Sequence, residues 1–288
     1  MEKKVFAAQP TNMPPRGVAT KDEFLKALNE ATSAAKEVSG HLTDKDSYIL
    51  TMLAVCPTAA GEVVEIGSYK GRSTILLSTA LGFTGDPRMH ACDPFAALGR
   101  PGQDLATDES VYAEFKTNLQ VRNLTDRVSI HRCFSVELAE QWCRPIRLLW
   151  IDGDHSYAGA TADFEAWHGF VSPGGCLVMH DVLHHPPGPS QVFVNRILLD
   201  DKWGACGLCG SVGWAQKVRS FEEAHAFRKL KVSLYRKVSR FTCCAALGAR
   251  IQGWNKLRYK LLRARIPHRS PSFEAFADLI GYTLRGEA

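Results

Sequence analysis

No apolar run in the 288-residue chain approaches the roughly 20 residues that cross a bilayer. The opening Met1-Glu-Lys-Lys-Val has neither the apolar stretch nor the small-residue cleavage site of a secretory leader. A water-soluble, cytoplasmic protein is therefore expected. Cysteine is present without forming a framework. The nine cysteines are scattered and odd in number, which suits a reducing compartment better than a set of disulfides. The single C-x-x-C, Cys206-Gly-Leu-Cys209, has no second pair at zinc spacing, so a loop with two buried or free thiols is expected ahead of a zinc site. Internal repeats and low-complexity segments are also absent.

Negative charge is scarce over one stretch. Residues 219–269 hold two acids against fourteen Lys and Arg, a local net of +12 in a chain whose total is +5. Leu234-Tyr-Arg-Lys-Val and Trp254-Asn-Lys-Leu-Arg-Tyr-Lys-Leu-Leu-Arg place apolar and basic residues on different helix faces. Three readings stay open for this tail. It docks on the protein's own core or on another copy in a homo-oligomer, or it lies on an anionic membrane as a peripheral contact. Nucleic acid is the least favoured, because aromatic stacking motifs are missing.

What is present is a strand–helix alternation. Residues 1–20, with three prolines, read as a flexible arm. Helices are expected over 21–39 and 44–55. Short apolar strands follow at Glu62-Val-Val-Glu-Ile, Met89-His-Ala-Cys, Val128-Ser-Ile-His, Arg147-Leu-Leu-Trp-Ile and Cys176-Leu-Val-Met, with helical spacing between them. Continuous apolar strands joined by helices imply a parallel sheet covered on both faces. Residues 210–217 read as a last strand closing an antiparallel edge. In such sheets ligands sit beyond the carboxyl ends of the strands. Four of those ends carry polar residues: Glu65/Gly67, Asp93, Asp152 and His180/Asp181.

The first strand runs into Val63-Val-Glu-Ile-Gly-Ser-Tyr-Lys-Gly-Arg-Ser-Thr. Gly67 allows close backbone approach, and Gly71 opens a helix whose first free N–H groups, near Ser73, can face a ligand. A dinucleotide loop would read G-x-G-x-x-G, and only two glycines appear here. Asp93, 28 residues after Glu65, is placed to accept from the hydroxyls of a ribose. Ser135 follows the third strand, either as a helix cap or bordering a base. Two acid–histidine pairs, Asp152 with His155 and His180 with Asp181, stand at adjacent strand ends.

These segments, with Asp163-Phe-Glu-Ala-Trp and Ser172-Pro-Gly-Gly-Cys-Leu-Val-Met-His-Asp-Val, resemble metal-dependent O-methyltransferases. The group is that of the macrocin and cephamycin-pathway enzymes, more distantly catechol O-methyltransferase, and the likeness covers residues 63–217. The resemblance implies a class I methyltransferase that uses S-adenosylmethionine (SAM). Its fold would be α/β, a doubly wound Rossmann-like sheet at 45–218, flanked by an N-terminal arm and helix (1–44) and a basic helical extension (219–288). It places SAM over Glu65, Gly67, Ser68, Gly71, Ser73, Asp93, Ser135 and Asp152. It implies a divalent metal, Mg²⁺ or Mn²⁺, on Asp152, His180 and Asp181, with His155 as general base toward a small-molecule or glycan hydroxyl. His180 departs from the oxygen ligand usual at that position and favours a metal that accepts imidazole, or none. Three alternatives remain. A non-catalytic or metal-independent SAM-binding protein would share the glycine loop. A nicotinamide-dependent oxidoreductase is disfavoured by the glycine spacing. A nucleic-acid methyltransferase would show Asn/Asp-Pro-Pro-aromatic where Asp152-Gly-Asp-His stands.

Overall fold

The computed structural model describes residues 13–96, 108–247 and 252–284; the first twelve residues of the expected arm lie outside them. Helix α1 (Lys21–Ala35) starts at Thr20, whose hydroxyl accepts from the Glu23 amide, and α2 (Asp44–Val55) starts at a Thr43/Asp46 capping box. The sheet holds seven strands: β1 (Glu62–Ile66), β2 (Met89–Cys92), β3 (Val128–His131), β4 (Ile146–Ile151), β5 (Val171–Met179), β6 (Trp203–Cys209) and β7 (Val212–Lys217). Their order is β3-β2-β1-β4-β5-β7-β6. The first five are mutually parallel, and β7 runs antiparallel to both of its neighbours. The α/β, doubly wound expectation holds.

Helices α3 (Arg72–Leu81), α4 (Glu109–Gln120), α5 (Ser135–Gln141), α6 (Tyr157–Trp167) and α7 (Gly188–Val192) connect the strands. After β7 come α8 (Phe221–Leu247), α9 (Gly253–Ala264) and α10 (Phe273–Ile280). Alternate residues of each strand feed two separate cores. On β4, Leu148 and Trp150 join the layer formed with α1, α2, α3 and α10, while Leu149 and Ile151 join the layer formed with α6, α7 and α8.

Two local readings change. Val212–Lys217 form the strand expected over 210–217, but it is inserted between β5 and β6 and is not the edge. Cys206 and Cys209 lie on β6 and not in a loop. Three residues apart on a strand, they point to opposite faces, and each packs in a different core layer. One metal ion cannot take both.

Most of the basic tail docks on the chain itself. Leu234, Val238 and Phe241 bury one face of α8 in the second core layer. Helix α10 returns to the opposite face, where Phe273 stacks on Phe24 with centroids 5.2 Å apart. Helix α9 buries none of its residues. No helix among the described residues is long and apolar enough to cross a membrane.

Candidate active site

The carboxyl ends of β1, β2, β4 and β5 open into one cleft of about 2830 Å³. Gly67, Ser68, Ser73, Asp93, Ser135 and Asp152 line it, as do His155, His180 and Asp181. Two of the expected cofactor residues stand behind that surface. Glu65 is fully buried under the loop, where its Oε2 accepts from the Ser68 hydroxyl (3.0 Å) and from the Thr74 hydroxyl. Gly71 packs against the Phe115 ring. Burial pushes the Glu65 carboxyl up, the three neighbouring hydroxyls counter in part, and the result is about 7.

The glycine loop is held by its neighbours. Gly67 has φ +84°, and a Cβ there would run into the backbone carbonyl of Asp152 at the end of β4. Only glycine permits the two strand ends to approach this closely. Asp93 reaches across from β2: its Oδ2 accepts from the amides of Ser68 (2.8 Å) and Tyr69 (2.7 Å), its Oδ1 from the Phe95 amide (2.6 Å). Ser135 opens α5, and its hydroxyl bonds the Asp163 carboxylate instead of capping the helix.

The acid–histidine pairs form a continuous line. His180, 3% exposed, donates from Nδ1 to Asp152 Oδ1 at 2.9 Å. His155 donates from Nε2 to the same oxygen at 3.1 Å. Beyond His180, its Nε2 faces Asp46 Oδ2 at 3.7 Å; beyond His155, its Nδ1 faces Asp181 Oδ2 at 3.5 Å. The order is Asp46, His180, Asp152, His155, Asp181. Each carboxylate flanks an imidazole.

Asp46 was missed in the sequence. It sits at the third position of α2 as the acid of a capping box and reads there as a helix-start residue. The same carboxylate also accepts from the amide and hydroxyl of Ser211, in the turn between β6 and β7. Burial pushes its carboxyl up. The facing His180 ring and the bonds from Thr43 and Ser211 outweigh that and bring it down to about 2. Burial pushes the His180 ring down, but Asp152, Asp46 and Asp181 raise it well above the ordinary histidine value. His155 is raised chiefly by its bond to Asp152. Asp152 is lowered despite its burial, by the two rings.

Residues 64–182, from the glycine loop through Asp181, match the sequence profile of a methyltransferase-domain family. Residues 64–182 carry a methyltransferase domain. The solved O-methyltransferase NovP shares the methyltransferase's fold with a TM-score of 0.51 at 17% identity, over 68% of this chain and 98% of that one. The O-methyltransferase from Bacillus cereus, solved in complex with SAH, gives a TM-score of 0.47 at 18% identity, over 69% and 92% of the two chains. TomG from Streptomyces achromogenes, solved in complex with SAM, gives 0.45 at 15%, over 70% and 92%. The matched residues begin after α2 and end before α8, so Asp46 and the whole of α9 lie outside the profile.

Proposed function

We propose that the protein methylates a hydroxyl oxygen of a small-molecule or glycan acceptor, with His155 as the proton acceptor. The observation that carries this is the line of alternating carboxylates and imidazoles at the ends of β4 and β5. Asp152 accepts a hydrogen bond from the His155 Nε2–H and fixes the tautomer, which leaves Nδ1 as the basic nitrogen. Asp181, 3.5 Å from that nitrogen, stabilises the imidazolium formed when the acceptor gives up its proton. His180, held between Asp46 and Asp152, keeps Asp152 ionised. SAM, when bound, supplies a methyl group on a sulfonium that needs only an aligned, deprotonated acceptor.

The chain's own groups fit that cofactor. The start of α3 has no side-chain cap. Gly67, Ser68 and Ser73 line the cleft beside it and would hold the amino-acid end. Asp93 would add ribose hydroxyls to the loop amides it already binds, and Ser135 would border the base.

A second reading follows from Asp152, His155 and His180, whose ligand atoms all lie within 4.8 Å of one another. Two imidazoles and a carboxylate suit a divalent ion such as Mn²⁺ that accepts nitrogen, and Asp46 and Asp181 then stand as outer carboxylates behind the two rings. Such an ion would lower the pKa of the acceptor hydroxyl, and His155 would be a ligand and not the base.

The test is calorimetric titration with S-adenosylhomocysteine, followed by methyl transfer before and after dialysis against a chelator. Micromolar binding and chelator-resistant transfer support the His155 base. Loss on chelation, restored by Mn²⁺, favours the second reading. Binding without transfer to any hydroxyl compound makes this a SAM-binding protein without catalysis. No binding sinks the proposal.

A further inference from the structure

The far wall of the cleft comes from outside the matched domain. Lys256, Lys260 and Arg263 of α9 all line it. At 100° per residue these three positions share one helix face. Trp254, Leu257 and Leu261 occupy another face and point to solvent, Trp254 being 85% exposed. Tyr259 anchors the helix beside the catalytic loop: its hydroxyl donates to the Leu183 carbonyl at 3.3 Å, two residues past Asp181, and its ring packs on Phe241 at 4.9 Å. Arg263, one turn on from Tyr259, lines the same cleft as Asp181.

The cations of this wall lack counter-charges. Among the described residues no carboxylate stands within 4.0 Å of Lys256, Lys260 or Arg263. The Arg263 Nε is buried with no hydrogen-bond partner among them. Two other basic residues of the tail do have partners. Arg219 pairs with Glu223 at 3.0 Å, and buried Lys231 donates to the Trp203 carbonyl at 2.9 Å. A buried guanidinium nitrogen without a partner carries a desolvation cost that a ligand can relieve.

The geometry points to an acceptor that carries an oxyanion group, a phosphate or a carboxylate, in addition to the hydroxyl that is methylated. This rests on the methyl-transfer reading above. The planar fork of Arg263 suits two oxygens of one such group, and Lys260 and Lys256 add point charges about one and two turns away. The wall orients the acceptor by its charged end and leaves its hydroxyl toward His155. The same oxyanion chemistry is offered by a free metabolite and by a lipid headgroup.

The experiment uses the full chain saturated with S-adenosylhomocysteine. Inorganic phosphate is titrated calorimetrically at constant ionic strength, against wild type and against a Lys256→Gln/Lys260→Gln/Arg263→Gln variant. In parallel, both are sedimented with phosphatidylcholine vesicles containing about one third phosphatidylglycerol. The expected result is saturable phosphate binding that weakens at least about tenfold in the variant, about 1.4 kcal/mol, with S-adenosylhomocysteine affinity unchanged. Phosphate binding without vesicle binding identifies a soluble acceptor. Vesicle binding that needs phosphatidylglycerol and is lost in the variant, with no phosphate binding, identifies a headgroup. Absence of both, or equal behaviour of the two proteins, overturns the inference. Failure of wild type to bind S-adenosylhomocysteine overturns the methyltransferase mechanism instead, and the phosphate and vesicle results are read independently of it.

Discussion

The two walls of the cleft are built on opposite principles. The sheet wall is nearly saturated with internal bonds: Asp93 already holds three amides, Asp152 two imidazoles and Asp46 four donors. The α9 wall is the reverse, with three cations on one face and no carboxylate beside them among the described residues. A saturated wall is rigid before any ligand arrives, which is what precise placement of a reacting group requires. An unsaturated one is incomplete until a ligand supplies the missing charge. In the mechanism proposed above, the sheet holds the chemistry and the tail the acceptor selectivity.

Substitutions can break this comparison at either wall. The largest effect is expected at His155. His155→Asn should lower methyl transfer by about 10²–10⁴-fold and leave S-adenosylhomocysteine affinity unchanged in calorimetry. A small drop in transfer would move the base elsewhere.

Asp46→Ala leaves His180 with Asp152 alone on one side, removes the four bonds to Thr43 and Ser211, and should cost about 3–5 kcal/mol in chemical unfolding. A cost near zero would mean that the sheet wall is not held together by its charges. The pH dependence carries a sign. The folded pKa of Asp46 is depressed to about 2, so its stabilisation is present above the unfolded value, about 4, and is lost as pH falls toward 2. The folded pKa of His180 is raised, so its contribution is complete below the unfolded value, about 6.5, and is lost as pH rises through the folded one. The stability gap between wild type and Asp46→Asn should be widest between those limits.

Gly67→Ala places a methyl against the Asp152 carbonyl at a positive φ. It should cost about 1–3 kcal/mol from backbone strain alone and weaken S-adenosylhomocysteine binding measurably. A smaller effect is expected in the pH profile of transfer. His155 must be neutral to act and its pKa is raised, so kcat should rise with pH through a value above that of a free histidine. A profile flat across this range would show that His155 does not titrate as the base. The smallest effect belongs to the other wall: the triple glutamine variant of α9 should change S-adenosylhomocysteine affinity by less than about twofold, within the ±0.5 kcal/mol of an ordinary surface change. A large loss would join the two walls into one site.

The strands of the sheet wall were legible because each is a short apolar run ending in a polar residue, and a parallel sheet must bring those ends together. Glu65, Gly67, Asp93, Asp152, His180 and Asp181 were all named on that ground, and His155 by the resemblance. Strand β6 was not legible. Cys206-Gly-Leu-Cys209 carries glycine and no β-branched residue, and its strand form comes from pairing with β7. Asp46 was hidden by a local role, since a capping box explains a Thr-x-x-Asp without any distant partner. The expectation for Glu65 and Gly71 came from the resemblance of the loop's spacing, which carries no information on the depth at which each residue lies.

Periodicity and strand-end chemistry, read along the chain, determined the fold class, the cofactor end of the sheet and the acid–histidine pairs, because those depend on residues within a few positions of one another. The tertiary structure alone decided that Asp46 meets His180 across 134 positions, that Cys206 and Cys209 face apart, and that α9 turns Lys256, Lys260 and Arg263 into the cleft. Those outcomes depend on how separate elements pack, and packing brings together groups whose separation in sequence carries no signal.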